Sequence, residues 1–127
     1  MLLLYIALGG AAGAVARYGL GGWVHDRAGP HFPWGTFVIN VLGSLLIGFA
    51  VRYLEAVRFT PEARALVTIG LLGSFTTFST FSYETVALLE DGEWARAALY
   101  AVGSLLLGLA AVYAGLVAAT LVLHARG

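Results

Sequence analysis

The sequence has no cysteine and no lysine, little charge of either sign, three prolines and a single asparagine in 127 residues. Without cysteine there is no disulfide framework, thiolate metal site or thiol nucleophile. The shortage of charge excludes more. A soluble domain carries about 25% charged residues to wet its surface. This chain carries 11%, against 60% hydrophobic residues and a mean hydropathy of +0.87. Seven Arg balance seven Asp plus Glu, so there is no basic footprint for nucleic acid. Lipid must solvate most of such a surface. Residues 1–127 are therefore read as one integral membrane domain, all α-helical, with membrane lipid as a partner.

The few charges divide the chain into spans. Met1 to Ala16 carries none, and neither do Ala28 to Val51, Ala65 to Tyr83 or Ala97 to Ala125. A bilayer core requires about 20 apolar residues per helix, which predicts four transmembrane helices over about 2–23, 34–53, 64–84 and 95–123. Ala14-Val15-Ala16 resembles a signal-peptidase site. No positive charge precedes the first run and three more spans follow it, so it is read as a retained helix. With the N-terminus inside, Arg52, Arg58, Arg64 and Arg126 fall on the cytoplasmic side, and Arg17, Arg27 and Arg96 opposite. A difference of one charge is a poor orientation signal under the positive-inside rule. Two readings follow: a weak bias fixed by some other factor, or insertion in both directions with antiparallel pairing through a self-complementary two-fold interface.

Several residues inside the spans do not suit lipid. Most of the 17 glycines lie there, and Gly9/Gly13 and Ala111/Gly115 have the small-xxx-small spacing that brings helix backbones together. Ser74 to Ser82 holds six hydroxyl residues and three Phe in nine positions. Those hydroxyls can bond back one turn. They can also line a break in the third helix, whose freed carbonyls would suit a cation. Phe78 and Phe81 share a helix face, where they are core or offer positive ring edges to an anion. Ser79 and Thr80 are candidate donors beside them. Asn40 is interhelical glue or a two-donor anion contact. Tyr100, Ser104 and Gly108 follow at four-residue steps on the fourth helix. Arg17 either snorkels to the interface or draws anions to a pore mouth. No carboxylate lies deep in a span, since Glu55 and Glu84 fall at helix ends, and no nucleophile–base pair is present. An enzyme is not expected.

These residues resemble the Fluc/CrcB-type fluoride channels, small four-helix bacterial membrane proteins. Gly9-Gly10, Gly13-Ala14 and Arg17-Tyr18 match the first-helix motif, and Gly35-Thr36-Phe37, Asn40, Gly43 and Gly48 the second. Gly70 through Ser82 with Glu84 is the most specific match. The resemblance implies passive fluoride export across the bacterial inner membrane by an antiparallel, dual-topology homodimer with two ion pathways. It further implies one structural, non-transported Na⁺ held by backbone carbonyls of Gly73 and Thr76. Phe78, Phe81 and Asn40 would line the pathways, Tyr100 and Ser104 would fall on a hydroxyl track, and Arg17 would lie at the vestibule. The family commonly continues that track with another Ser, where this chain has Gly108. Two other classes share the size and helix count: a dual-topology proton-coupled multidrug exporter, which requires a mid-helix carboxylate, and a non-transporting assembly subunit.

Overall fold

Each charge-poor run becomes a helix, and each helix continues beyond it into flanking charges. In the computed structural model, which describes residues 1–127, the spans are α1 (Leu2–Ala28), α2 (Trp34–Ala56), α3 (Pro61–Glu90) and α4 (Trp94–Arg126). The helices overrun the expected ends at 23, 53, 84 and 123 because a charged side chain does not stop the backbone from pairing with itself. Asp26, Arg27, Glu55, Glu90 and Arg126 all remain helical. Basic residues occupy the last turns of α1 (His25, Arg27) and α4 (His124, Arg126), where they meet the negative end of the helix dipole. Helix α3 starts at Pro61 behind Thr60, whose hydroxyl accepts the Ala63 N–H at 3.2 Å. The expected turn at Asp91-Gly92 is present, with Gly92 at φ 77°.

The helices associate through glycine. Helix α1 lies against the first half of α3, and α2 against α4. A Cβ at Gly9 or Gly13 would overlap the carbonyls of Leu66 or Leu71 on α3. A Cβ at Gly48 would overlap the Val112 carbonyl, and one at Gly115 the Leu45 carbonyl. The small-residue spacing thus marks two real seams, α1 to α3 and α2 to α4. In lipid such close backbone approach replaces the hydrophobic drive that operates in water.

Helix α3 is broken near its middle. Its first half is α-helical over Pro61–Ala65, widens to a π-helix over Leu66–Leu71 and tightens again over Leu72–Phe75. Thr76 and Thr77 are extended, at φ,ψ of −82°, 156° and −147°, 113°, the region that β-branched residues favour. The second half, Phe78–Glu90, begins with Thr77 as its cap, since Thr77 Oγ1 accepts the Thr80 N–H at 3.2 Å. The break fits against α2 because residue 43 is glycine: a Cβ there would overlap the Thr76 methyl and press on Phe75.

Only 15 of the 127 residues are buried, and Leu, Val and aromatic side chains are exposed on all four helices. That much apolar surface has to be covered by lipid or protein. The charges lie at the two ends of the bundle and are not evenly shared. Beside the 29–33 and 91–93 connections there are four carboxylates (Asp26, Glu90, Asp91, Glu93) and two Arg (Arg27, Arg96). At the other end there are four Arg (Arg52, Arg58, Arg64, Arg126) and two carboxylates (Glu55, Glu62). A single chain therefore carries about −2 at one end and +2 at the other.

Candidate functional site

The break in α3 is clamped from α2 by Asn40. Asn40 Nδ2 donates to the Thr77 carbonyl at 3.0 Å, and the Thr77 N–H donates to Asn40 Oδ1 at 2.8 Å. Both polar ends of the amide are thus engaged with the backbone of one residue, Thr77, which fixes which end is nitrogen. One Asn40 N–H remains unused. Asn40 is interhelical glue, and it retains a donor.

The clamp has a consequence for the carbonyls. In a continuous helix the Thr77 N–H would pair with the Gly73 carbonyl, and the Thr80 N–H with that of Thr76. Here the first goes to Asn40 and the second to the Thr77 hydroxyl. Gly73 and Thr76 keep carbonyl oxygens that accept no hydrogen bond. Both residues border an open hollow of about 390 Å³ shared with Asn40, Ser44, Thr68 and Phe78. Neutral oxygen donors of this kind suit a hard cation such as Na⁺ better than a soft one.

A second hollow, of about 300 Å³, lies between α2, the second half of α3 and α4. Asn40, Ser44, Phe78, Phe81, Ser104 and Gly108 border it. Phe78 and Phe81 sit with ring centres 5.8 Å apart. Phe78 is 79% exposed in the single chain. The Ser104 hydroxyl is buried and has no hydrogen-bond partner, although buried hydroxyls are nearly always paired. No carboxylate borders this hollow.

Arg17 occupies a third hollow, of about 270 Å³, with Tyr18, Thr36, Thr77, Thr80 and Glu84. Its Nε donates to the Ser74 carbonyl at 3.1 Å, at the C-terminal end of the first half of α3, where a cation stabilises the exposed carbonyls. It forms no ion pair; the one ion pair in the chain joins Arg96 and Glu93 at 3.6 Å. Thr80 sits on the inner rim of this hollow, its Oγ1 3.0 Å from that of Thr77. Tyr100 is fully buried, its ring 5.0 Å from that of Phe81, and its hydroxyl donates to Glu84 Oε1 at 3.0 Å. Ser79 is exposed and borders none of these three hollows.

The structure therefore brings Asn40, Phe78, Phe81 and Ser104 together, places Gly73 and Thr76 beside them, and sets Arg17 and Thr80 around a separate opening. Part of the hydroxyl run bonds back within its helix: Ser74 reaches the Gly70 carbonyl at 2.8 Å and Thr76 that of Leu72 at 3.2 Å. Sequence reasoning passed over Glu84, Thr36 and Ser44 as site residues. For Ser44 a signal was available, since it stands one turn from Asn40 on the same face of α2.

Four helices long and apolar enough to cross a bilayer define a multi-pass membrane protein. The sequence pattern of the CrcB-like protein, Camphor Resistance (CrcB) family matches residues 4–116, and the chain belongs to that family. The fluoride-specific ion channel FluC of Thermus thermophilus is 52% identical over 112 residues, 88% of each chain. That of Geobacter sulfurreducens is 51% identical over 118 residues, 92% of this chain and 95% of its own. That of Acidobacterium capsulatum is 48% identical over 118 residues, 92% of this chain and 94% of its own.

Proposed function

We infer that this chain is a fluoride-selective ion channel that lets fluoride leave the cell passively. The observation that carries the reading is the Ser104 hydroxyl, buried without a partner in a hollow walled by Phe78, Phe81 and Asn40 and free of carboxylates. Fluoride is small and strongly hydrated. Its path must replace water with close donors yet hold no charge that would trap the ion. Ser104, the spare N–H of Asn40 and the Phe ring edges supply that combination. Arg17, half-buried and without an ion pair, concentrates anions at the opening near Thr80 and Glu84. Thr80, at the Arg17 opening, and Tyr100, packed on Phe81, continue the polar path beside the aromatic pair, whereas Ser79 lies outside the hollows. No carboxylate borders this hollow to carry a proton for a coupled exporter; Glu84, at the Arg17 opening, is engaged by the Tyr100 hydroxyl.

Four spans are too few to enclose a path, so the working unit is a homodimer. The opposite end charges of about −2 and +2 attract between neighbours that run antiparallel and repel between parallel ones. That favours a dual-topology pair in which the open hollow beside Gly73 faces its counterpart. The unpaired Gly73 and Thr76 carbonyls of both copies are then the donors for a structural Na⁺. Such an ion would supply positive charge that offsets the facing carbonyl dipoles. The chain's spans are helices and not the strands of an outer-membrane-type barrel, which supports placing it in the bacterial inner membrane.

The test is fluoride efflux from liposomes containing the purified protein, read with an ion-selective electrode. Rapid fluoride release with chloride retained is expected, and equal passage of the two would overturn selectivity. Phe81→Ile should slow fluoride by about two- to tenfold, the rate equivalent of one ring-edge contact; a wild-type rate would remove the aromatic wall from the mechanism. Replacing Na⁺ on both sides with a bulky organic cation should abolish efflux and lower the melting temperature of the detergent-solubilised protein. Unchanged values in both would remove Na⁺ from the structure.

A further inference from the structure

We propose that the Ser44 hydroxyl is a further ion-contacting donor of the pathway, and that it reaches the ion because residue 108 is glycine. The proposal rests on the channel reading above.

Asn40 and Ser44 stand one turn apart on α2, and Ser104 and Gly108 one turn apart on α4. All four border the same hollow. They form two levels, with Asn40 and Ser104 among the donors of the first. At the second level α4 has no side chain to offer. A Cβ at position 108 would meet one heavy atom within 4 Å, the Ser44 Oγ at 3.7 Å. The space that a side chain on α4 would fill is therefore faced by the Ser44 hydroxyl from α2.

The state of that hydroxyl supports the assignment. Thr68, Ser74, Thr76, Thr85 and Thr120 each donate to the carbonyl four residues earlier, at 2.8 to 3.2 Å. This is the ordinary resting place for a hydroxyl in a membrane helix. Ser44 has the same option at the Asn40 carbonyl and makes no such bond, nor any other within the chain. An unpaired hydroxyl in a low-dielectric surrounding costs free energy unless a ligand or water meets it. Ser44 and Ser104 both border one cavity of about 300 Å³, large enough for an ion and its remaining water. Ser44, with Asn40 and Phe78, also borders the hollow beside Gly73 and Thr76. An ion at the second level is thereby held between a donor and the approach to the carbonyl pair.

The experiment measures fluoride efflux for wild type, Ser44→Ala, Gly108→Ser and the double variant, each reconstituted after elution as a single species of wild-type melting temperature. Ser44→Ala should slow efflux about three- to tenfold, the rate equivalent of one hydrogen bond. The double variant, which returns a hydroxyl from the opposite wall into space that Ser44→Ala vacates, should recover most of that loss. Chloride should stay excluded throughout. Wild-type efflux in Ser44→Ala would overturn the proposal, and so would a loss that Gly108→Ser does not repair. Absence of fluoride efflux from the wild-type protein would instead overturn the channel reading itself.

Discussion

Asn40→Asp is expected to lower fluoride efflux by about a thousandfold or more and to loosen the break in α3. The substitution is nearly isosteric, so the Thr77 N–H keeps its acceptor at 2.8 Å. The other arm fails: an oxygen replaces the nitrogen that donates to the Thr77 carbonyl at 3.0 Å, and two acceptors then face each other. The new carboxylate also borders the hollow between Phe78, Phe81 and Ser104. A negative charge about 4 Å from a passing anion costs ~4 kcal/mol at an effective dielectric of 20, which is about a thousandfold in rate. Asn40→Ala separates the two effects. It removes both arms of the clamp without adding charge, so it should destabilise the fold by about 2–4 kcal/mol through two unpaired backbone groups. Efflux and thermal unfolding in detergent, measured on both variants, check this. An Asp variant that conducts at the wild-type rate would show that Asn40 is not beside the ion.

Gly115→Val should prevent the bundle from assembling. Gly115 is buried, and any Cβ there overlaps the Leu45 carbonyl and crowds the Phe49 N–H on α2. These are backbone atoms inside a helix and cannot rotate away. Overpacking of flexible cores costs about 1–3 kcal/mol; here α2 and α4 must separate along their length, so the upper end of that range is the minimum. Gly103→Ala is the matching control on the same helix. A Cβ at Gly103 meets only the Phe37 ring, at an ordinary 3.8 Å, and the variant should elute and melt as wild type. The check is the monodisperse fraction on gel filtration after extraction. A normal profile for Gly115→Val would mean that α2 and α4 do not meet as described.

The spans were legible because bilayer thickness sets a length that composition alone can meet. Four charge-free runs gave four helices, and only their ends were misjudged, since helical pairing continues through Asp26, Glu55 and Glu90 into the interface. The break in α3 was legible for a local reason: consecutive β-branched Thr residues after Gly73 favour extended backbone. What fills the broken positions was not. The Asn40 clamp on Thr77 spans 37 positions, and the Arg17 bond to Ser74 spans 57; nothing in the spacing of either residue encodes its partner. The glycine spacing at Gly9/Gly13 and Ala111/Gly115 announced close contacts without naming the helices that meet. The π-helical turn over Leu66–Leu71 has no composition of its own, and it lies where α1 glycines approach the α3 backbone. Ser44 shows the same limit from the other side. Its spacing from Asn40 was plain, but its significance depends on Gly108 across the cavity.

The glycine seams also bear on how the fold responds to heat. At Gly9, Gly13, Gly48 and Gly115 the Cα–H groups of one helix approach carbonyl oxygens of the next, a geometry suited to weak Cα–H···O bonds. Cohesion of this sort comes from dispersion and dipoles, and parting the helices in lipid exposes little apolar surface to water. The large positive heat-capacity change that curves the stability of a soluble domain comes from that exposure. Separation of α1 from α3, or of α2 from α4, should therefore carry a small heat-capacity term. The bundle would weaken almost linearly on warming, with no loss of stability in the cold.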